Sequence, residues 1–243
     1  MSASSVSIIV TRAEPGASVT AEHLRARGMT VILAPALTLD PDPDTPLPAP
    51  EMLSGLVFTS ANGVRTYAAR RNDRALTAWC VGPATAAAAA LAGFSDIRES
   101  AGNAVDLANF IAAQSTPADQ PLLHVANAAA IGGLKQTLMA LGFSVIFAPL
   151  YQMRPAAALS AEMTELIAGG DTAILLIHSA KGAAAMAALL PEEPRPDWCL
   201  VAISDPASQP LVARVAHPPY IADAPNEDGL MRALDTALAT LSA

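Results

Sequence analysis

GMTVILAPALTL (Gly28 to Leu39) returns later in the chain as GFSVIFAPLYQM (Gly142 to Met153), with Gly, Val, Ile, Ala and Pro in the same places and the two copies 114 positions apart. A repeat of this kind constrains the architecture before any single element is assigned. Each copy follows a helix-like stretch, AEHLRARG (Ala21 to Gly28) or KQTLMALG (Lys135 to Gly142), whose closing glycine suits a helix C-cap. The β-branched run after it reads as a buried strand, so each copy predicts strand, helix, strand.

A second repeat pairs LVFTSANGV (Leu56 to Val64) with LLIHSAKGA (Leu175 to Ala183), and Trp79-Cys80 with Trp198-Cys199, both at a spacing of 119. After each Trp-Cys come a strand, a turn, a helix-like stretch and an Asn-led helix, GNAVDLANFI (Gly102 to Ile111) or PNEDGLMRAL (Pro225 to Leu234). Strands alternating with helices predict α/β architecture, with parallel sheets covered on both faces. The order along the chain is a, b, a′, b′. The residues leave open whether a folds with b or with b′, and either choice gives two similar α/β domains of about 110 to 120 residues. Pro-rich stretches, DPDPDTPLPAP (Asp40 to Pro50), STPADQP (Ser115 to Pro121) and PEEPRPD (Pro191 to Asp197), read as surface connections.

Of the 243 residues, 52% are hydrophobic and 15% charged, enough to bury a sizeable core. Apolar runs such as TAILLI (Thr172 to Ile177) fall far short of the roughly 20 residues a membrane-spanning helix needs, so no membrane association is expected. The opening MSASSVSIIV carries neither a basic n-region nor the apolar h-region of a secretory signal, which makes the cytoplasm the expected location. Cys80 and Cys199 sit in apolar runs after tryptophan and read as small hydrophobes, not as a disulfide or metal pair. The net charge of -8, with no lysine-rich tract and no aromatic stripe between basic residues, excludes the electrostatic footprint of nucleic-acid binding.

In open parallel sheets, ligands bind beyond the carboxyl ends of the strands, where helix N-termini present free N–H groups to anions. The chain places small polar residues there: Thr11 and Arg12, Thr59, Ser60 and Asn62, Gly82 and Thr85, Asn127, His178, Ser179 and Lys181, and Ser204. Ser60, Ser179 and Ser204 can be read simply as helix caps, each contributing about 1 kcal/mol. They can also be read as repeat-related turns facing one cleft and receptive to a ligand with several carboxylates or phosphates. Arg12, Arg65, Lys181 and the helix N-termini could make such a cleft locally positive despite the acidic whole, because distant charges are screened.

Phosphate-loop and dinucleotide motifs are missing; VGPATA (Val81 to Ala86) and IGG (Ile131 to Gly133) lack the required glycine spacing. His23, His124, His178 and His217 show no HxxxH or HExxH spacing and GxSxG does not occur, so neither a metal nor a serine triad is expected. His23 falls on a helix and His124 within a strand, where a hydrogen-bonded structural histidine is expected.

VTRAEPG near the start, APALTL, VFTSANGV, VGPATA, GNAVDLANFI, PLYQM and PNEDGLMRAL, in this order, resemble the uroporphyrinogen-III synthase family over nearly the whole chain. The resemblance implies two parallel-sheet α/β domains with a cleft between them. These are residues 1–36 with 154–243, and residues 41–149, joined by a two-stranded hinge of 37–40 and 150–153. It implies a cofactor-free lyase that closes hydroxymethylbilane, which its deaminase could hand over, into a ring with loss of water and inversion of the last pyrrole. It makes Tyr151 the expected proton donor, where the residues alone also allow a packed hinge tyrosine. Thr11, Arg12, Thr59, Ser60, Asn62, Gly82, Thr85, Asn127, Ser179 and Ser204 become expected substrate contacts, and a monomer is expected. The sequence departs from the family at ISDPASQPL (Ile203 to Leu211), where a glycine-proline-threonine-threonine turn is usual and Ser204 or Ser208 would have to substitute. It departs again at NAAAIGG (Asn127 to Gly133). The competing reading is a non-catalytic two-lobed binding module for a small polyanionic metabolite.

Overall fold

The computed structural model describes residues 6–130 and 133–241, so Ile131 and Gly132 of the IGG turn, and residues 1–5 and 242–243, lie outside the described residues. The chain opens with β1 (Ser7–Val10), α1 (Gly16–Ala26), β2 (Thr30–Leu33) and β3 (Leu37–Pro41). Next come β4 (Gly55–Phe58), α2 (Ala61–Arg70), β5 (Ala78–Val81), α3 (Gly82–Leu91), β6 (Ile97–Ser100) and α4 (Ala104–Gln114). β7 (Leu122–Asn127), α5 (Leu134–Ala140), β8 (Val145–Pro155), α6 (Ala161–Gly169), β9 (Ala173–Ile177) and α7 (Ala180–Leu189) follow. β10 (Trp198–Ala202), α8 (Asp205–Ser208), β11 (Tyr220–Ile221) and α9 (Glu227–Leu241) complete it.

The chain divides into two compact units, Met1–Leu39 with Arg154–Ala243, and Asp40–Met153. One sheet has the strand order β11-β10-β9-β1-β2, the other β3-β8-β7-β4-β5-β6. The repeats equate β1 with β7, β2 with β8, and β9, β10, β11 with β4, β5, β6. Leaving β3 aside, the two orders are then the same, and the registered pairs are parallel. In unit 1 this is the doubly wound order 2-1-3-4-5, whose switch point lies between β1 and β9. In unit 2 the same sheet is met in rotated chain order, and the switch point lies between β7 and β4.

Local chemistry explains the helix ends. Gly28 (φ 79°) and Gly142 (φ 90°) adopt the left-handed conformation. In both, the glycine N–H and the next N–H turn back onto the last helical turn, Gly28 to Arg25 and Met29 to Leu24, Gly142 to Met139 and Phe143 to Leu138. This is the double closure that a C′ glycine permits. At the other end, Asn103 caps α4 through a reciprocal capping box with Asp106, and the Asn226 side chain accepts the Gly229 N–H to start α9.

The proline shared by the first repeat falls at a slip of register in both copies. Val10 and Thr11 accept hydrogen bonds from Ala34 and Ala36, skipping Pro35, while the β7–β8 ladder steps from Ala126/Pro149 to Asn127/Tyr151. Proline lacks the N–H that the ladder needs, so the bulge is where it can sit. The copies then diverge. β8 runs unbroken through Pro149, whereas the first copy splits at residues 34–36 into β2 of one sheet and β3 of the other. The expected burial of both copies is corrected as well: β2 is a sheet edge whose residues are exposed or half-buried, and Val145, Ile146 and Phe147 at the start of β8 are half-buried or exposed too.

Helices cover both faces of each sheet. In unit 2, Phe58 meets Tyr67 and Phe94 edge to face under α2 and α3, while Val57, Leu107, Ile111, Leu134 and Leu138 fill the face under α4 and α5. In unit 1, Ile8, Val10, Leu24, Ile174, Leu176, Leu230 and Leu234 form the core. Each such side chain contributes about 1.5 to 3 kcal/mol by leaving water. Cys80 and Cys199 are buried free thiols, pushed up to about 12 and about 11, mainly by burial.

Candidate functional site

In unit 2, β4 ends at Phe58 and the chain turns through Thr59 and Ser60 into α2. Ser60 has extended backbone and caps the helix, its Oγ accepting from the Gly63 N–H at 3.2 Å. A Cβ on Gly63 would meet the Val125 carbonyl at 3.1 Å, so glycine is what lets α2 lie close on β7. The same Ser60 Oγ lies 2.7 Å from the Oη of Tyr151, which β8 delivers just past the proline slip. Tyr151 is 5% exposed. Burial raises its phenol above the usual value, only partly offset by the Ser60 bond, so the hydroxyl holds its proton at neutral pH and can act as a donor. Tyr151 also lines a cavity of about 250 Å³ with Asp40, Asp42, Ala128, Pro149 and Gln152.

The other expected residues of unit 2 fall into two groups. Thr59 and Asn62 are half-buried; the Asn62 side-chain oxygen accepts from Arg65, and its amide nitrogen stands 3.9 Å from Met153 Sδ. Asn127 ends β7 and accepts the Ala129 N–H. Gly82, at φ 70°, opens α3 in a conformation that suits glycine, but Thr85 is buried, so its side chain serves packing.

Sequence reasoning missed a second cavity in this unit, about 380 Å³, lined by Thr59, Ala104, His124, Leu134, Lys135 and Phe147 among others. His124 is 5% exposed and stands edge-on to Phe147 at 5.5 Å. The expectation of a hydrogen-bonded histidine is corrected: neither ring nitrogen has a partner among the described residues. Burial lowers its pKa to about 4, so the ring is neutral at pH 7. The one sequence signal was a polar residue inside the apolar run LLHVA.

Unit 1 repeats the capped turn. Ser179 matches Ser60 in backbone (φ -165°, ψ 150° against φ -159°, ψ 153°), and its Oγ accepts from Gly182 as Ser60 does from Gly63. Ser204 stands at the N-cap of α8 but makes no side-chain capping bond, so the cap reading fails there. Ser208 cannot substitute as a ligand donor: it is fully buried and its hydroxyl donates to the Asp205 carbonyl. Thr11 is buried too, donating to the Leu176 carbonyl at 2.7 Å. Arg12 is engaged by Glu227, a partner 215 residues away that no local pattern announces. Among the described residues, no group of three or more His, Cys, Asp or Glu could hold a metal ion, and no helix is long and apolar enough to cross a membrane.

Capped turns at the carboxyl edge of parallel sheets occur in many proteins, and comparison with known ones narrows the choice. The family model described as Uroporphyrinogen-III synthase HemD matches residues 18–232. The chain belongs to the uroporphyrinogen-III synthase family. A solved uroporphyrinogen-III synthetase from Helicobacter pylori superposes with a TM-score of 0.60 at 15% identity, over 96% of this chain and 99% of that one. A mutant uroporphyrinogen III synthase from the extremely thermophilic bacterium Thermus thermophilus gives 0.48 at 16% identity, over 97% of this chain and 100% of that one. At such identities the Helicobacter match speaks for the shared fold, and the family match carries membership. No curated protein matches the sequence.

Proposed function

We propose that this chain is a uroporphyrinogen-III synthase, closing hydroxymethylbilane to uroporphyrinogen III with loss of water. The observation that carries this reading is the family match across residues 18–232. The terminal hydroxymethyl C–O bond breaks as the adjacent pyrrole nitrogen pushes electrons in; the oxygen takes up a proton and leaves as water, while the pyrrole N–H gives one up. The resulting azafulvene is attacked by the substituted carbon of the last pyrrole, giving a spiro intermediate. That intermediate fragments and recloses with the ring inverted.

The protein's part is orientation, which can contribute about 7 to 11 kcal/mol in favourable cases. Tyr151 supplies the proton to the departing hydroxyl, and Ser60 fixes the direction of its O–H. Thr59, Asn62, Gly82 and Asn127 in unit 2, with Arg12, Ser179 and Ser204 in unit 1, receive the acidic arms. Thr11 and Thr85 act through their backbone. Residues 37–40 and 150–153 serve as a hinge between the lobes 1–36 with 154–243 and 41–149. The continuous strand geometry of β3 and β8 at the points where the chain leaves and re-enters unit 1 supports this. The enzyme works as a cytoplasmic monomer without a cofactor and takes its substrate from the deaminase that makes it.

The test feeds freshly made hydroxymethylbilane to the purified protein and separates the oxidised type III and type I isomers by chromatography. An excess of type III is expected. Type I alone, the outcome of unassisted closure, would favour the non-catalytic binding module.

A further inference from the structure

In unit 1, side chains from separate elements converge on one carboxylate at the carboxyl ends of β1 and β9. Arg12 Nη1 lies 3.0 Å from Glu227 Oε2, the Thr20 hydroxyl donates to Oε1 at 2.8 Å, and His178 Nε2 stands 3.4 Å from Oε2. Arg12 also donates to Thr20 at 3.3 Å, which ties the guanidinium and hydroxyl into one cradle. Gly16 leaves room for that arginine pose, since a Cβ there would come within 2.5 Å of its Nε.

Three features mark this as a receptor for a carboxylate and not only a surface ion pair. The His178 side chain is 8% exposed, and neither of its nitrogens has a hydrogen-bond partner among the described residues. Glu227 opens the 15-residue α9, whose N-terminus favours negative charge. The nearby His178 ring, then Thr20 and Arg12, outweigh partial burial and hold the Glu227 carboxyl down at about 2. Yet Arg12 and Glu227 are each about one-third exposed (35% and 36%), so an incoming anion can reach both.

We infer that Arg12, Thr20 and His178 form a carboxylate-binding site that the free protein fills with its own Glu227, and that an acidic ligand engages Arg12 by displacing that side chain. The site follows from the geometry of unit 1 alone. Its use by the substrate's acidic arms rests on the synthase reading.

The probe is acetate. In Glu227→Ala, thermal unfolding at pH 7 should shift upward with sodium acetate, saturably and beyond sodium chloride at equal ionic strength, as binding linkage requires. Wild type should respond to the two salts alike, and adding Arg12→Met to Glu227→Ala should abolish the acetate response. Equal responses of Glu227→Ala to acetate and chloride would overturn the site. Should that variant fail to fold, Glu227→Gln keeps a side chain on Thr20 while releasing the charge on Arg12. Its His178 ring signals in an NMR titration should then move saturably with acetate, and unmoved signals count against the site. A wild type that yields only the type I isomer, together with acetate rescue of Glu227→Ala, would remove the synthase reading and leave the site standing.

Discussion

The hydroxyl of Ser60 stands between two partners: it accepts the Gly63 N–H that starts α2 and sits 2.7 Å from the Tyr151 hydroxyl. One small side chain thus couples the start of a helix to the orientation of the proposed acid. Tyr151→Phe, which removes only the phenol oxygen, should lower turnover about 100-fold, the lower end of general acid catalysis, while the far-UV spectrum stays unchanged. The type III isomer should still dominate, because positioning does not depend on that oxygen. Unchanged turnover would remove Tyr151 from the mechanism.

Ser60→Ala and Ser179→Ala should each cost about 1 kcal/mol of stability, since each deletes a formed cap. Ser204→Ala should stay within about 0.5 kcal/mol, because no capping bond is lost. Both capping variants should raise KM, since both residues are proposed substrate contacts, but only Ser60→Ala should also lower kcat by loosening Tyr151. Denaturant titration and saturation kinetics separate the effects, and a kcat loss in Ser179→Ala matching that in Ser60→Ala would contradict the coupling.

His124 supplies a pH signature. Its folded pKa of about 4 lies below the ordinary 6.5, so the unfolded chain takes up a proton first as pH falls. Its contribution is whole above pH 6.5 and lost as pH drops from 6.5 toward 4, at up to about 1.4 kcal/mol per unit. His124→Leu fills the same space without unpaired nitrogens. It should be at least as stable as wild type at pH 7, and its midpoint in urea should vary less between pH 7 and 5.

Glu227 acts in a lower window. Its carboxyl is held below the ordinary 4.5, so the stabilisation it brings is present above 4.5 and lost as pH falls from there toward 2. Partial exposure keeps the effect modest. Glu227→Gln should flatten the stability curve between pH 5 and 3 while leaving the slope above pH 5 as in wild type.

Gly28→Ala should cost about 1 to 2 kcal/mol from the left-handed backbone alone, because nothing lies within 4 Å of the added methyl. Gly142→Ala should cost more, since its methyl also meets Pro117 at 3.3 Å. Thermal midpoints of the two variants check the order.

What the sequence disclosed was governed by short-range rules or by repetition. Gly28 and Gly142 announce helix ends because few other residues tolerate that backbone, and Ser60 with Gly63 repeats in Ser179 with Gly182 because the same turn is built twice. The equal strand orders follow from the same repetition. The edge position of β2 and the split at residues 34–36 were hidden, because near-identical strings joined different sheets and pairing partners are a property of topology. The ion pair of Arg12 with Glu227 was hidden as well, because nothing near Arg12 in sequence hints at a partner 215 residues away. His124 looked like an ordinary structural histidine, and only the packing of α4, α5 and β8 around it shows its nitrogens unpartnered.

The discontinuity of unit 1 sets a timetable for synthesis on the ribosome. β1 has β2 beside it almost at once, but its other neighbour, β9, begins at Ala173, after all of Asp40–Met153 has been made. At 5 to 20 residues per second that is a delay of roughly ten to thirty seconds, during which one flank of Ile8, Ile9 and Val10 stays open. Unit 2 is complete well before unit 1 can close, so chaperones attending the nascent chain should be drawn to its first strand.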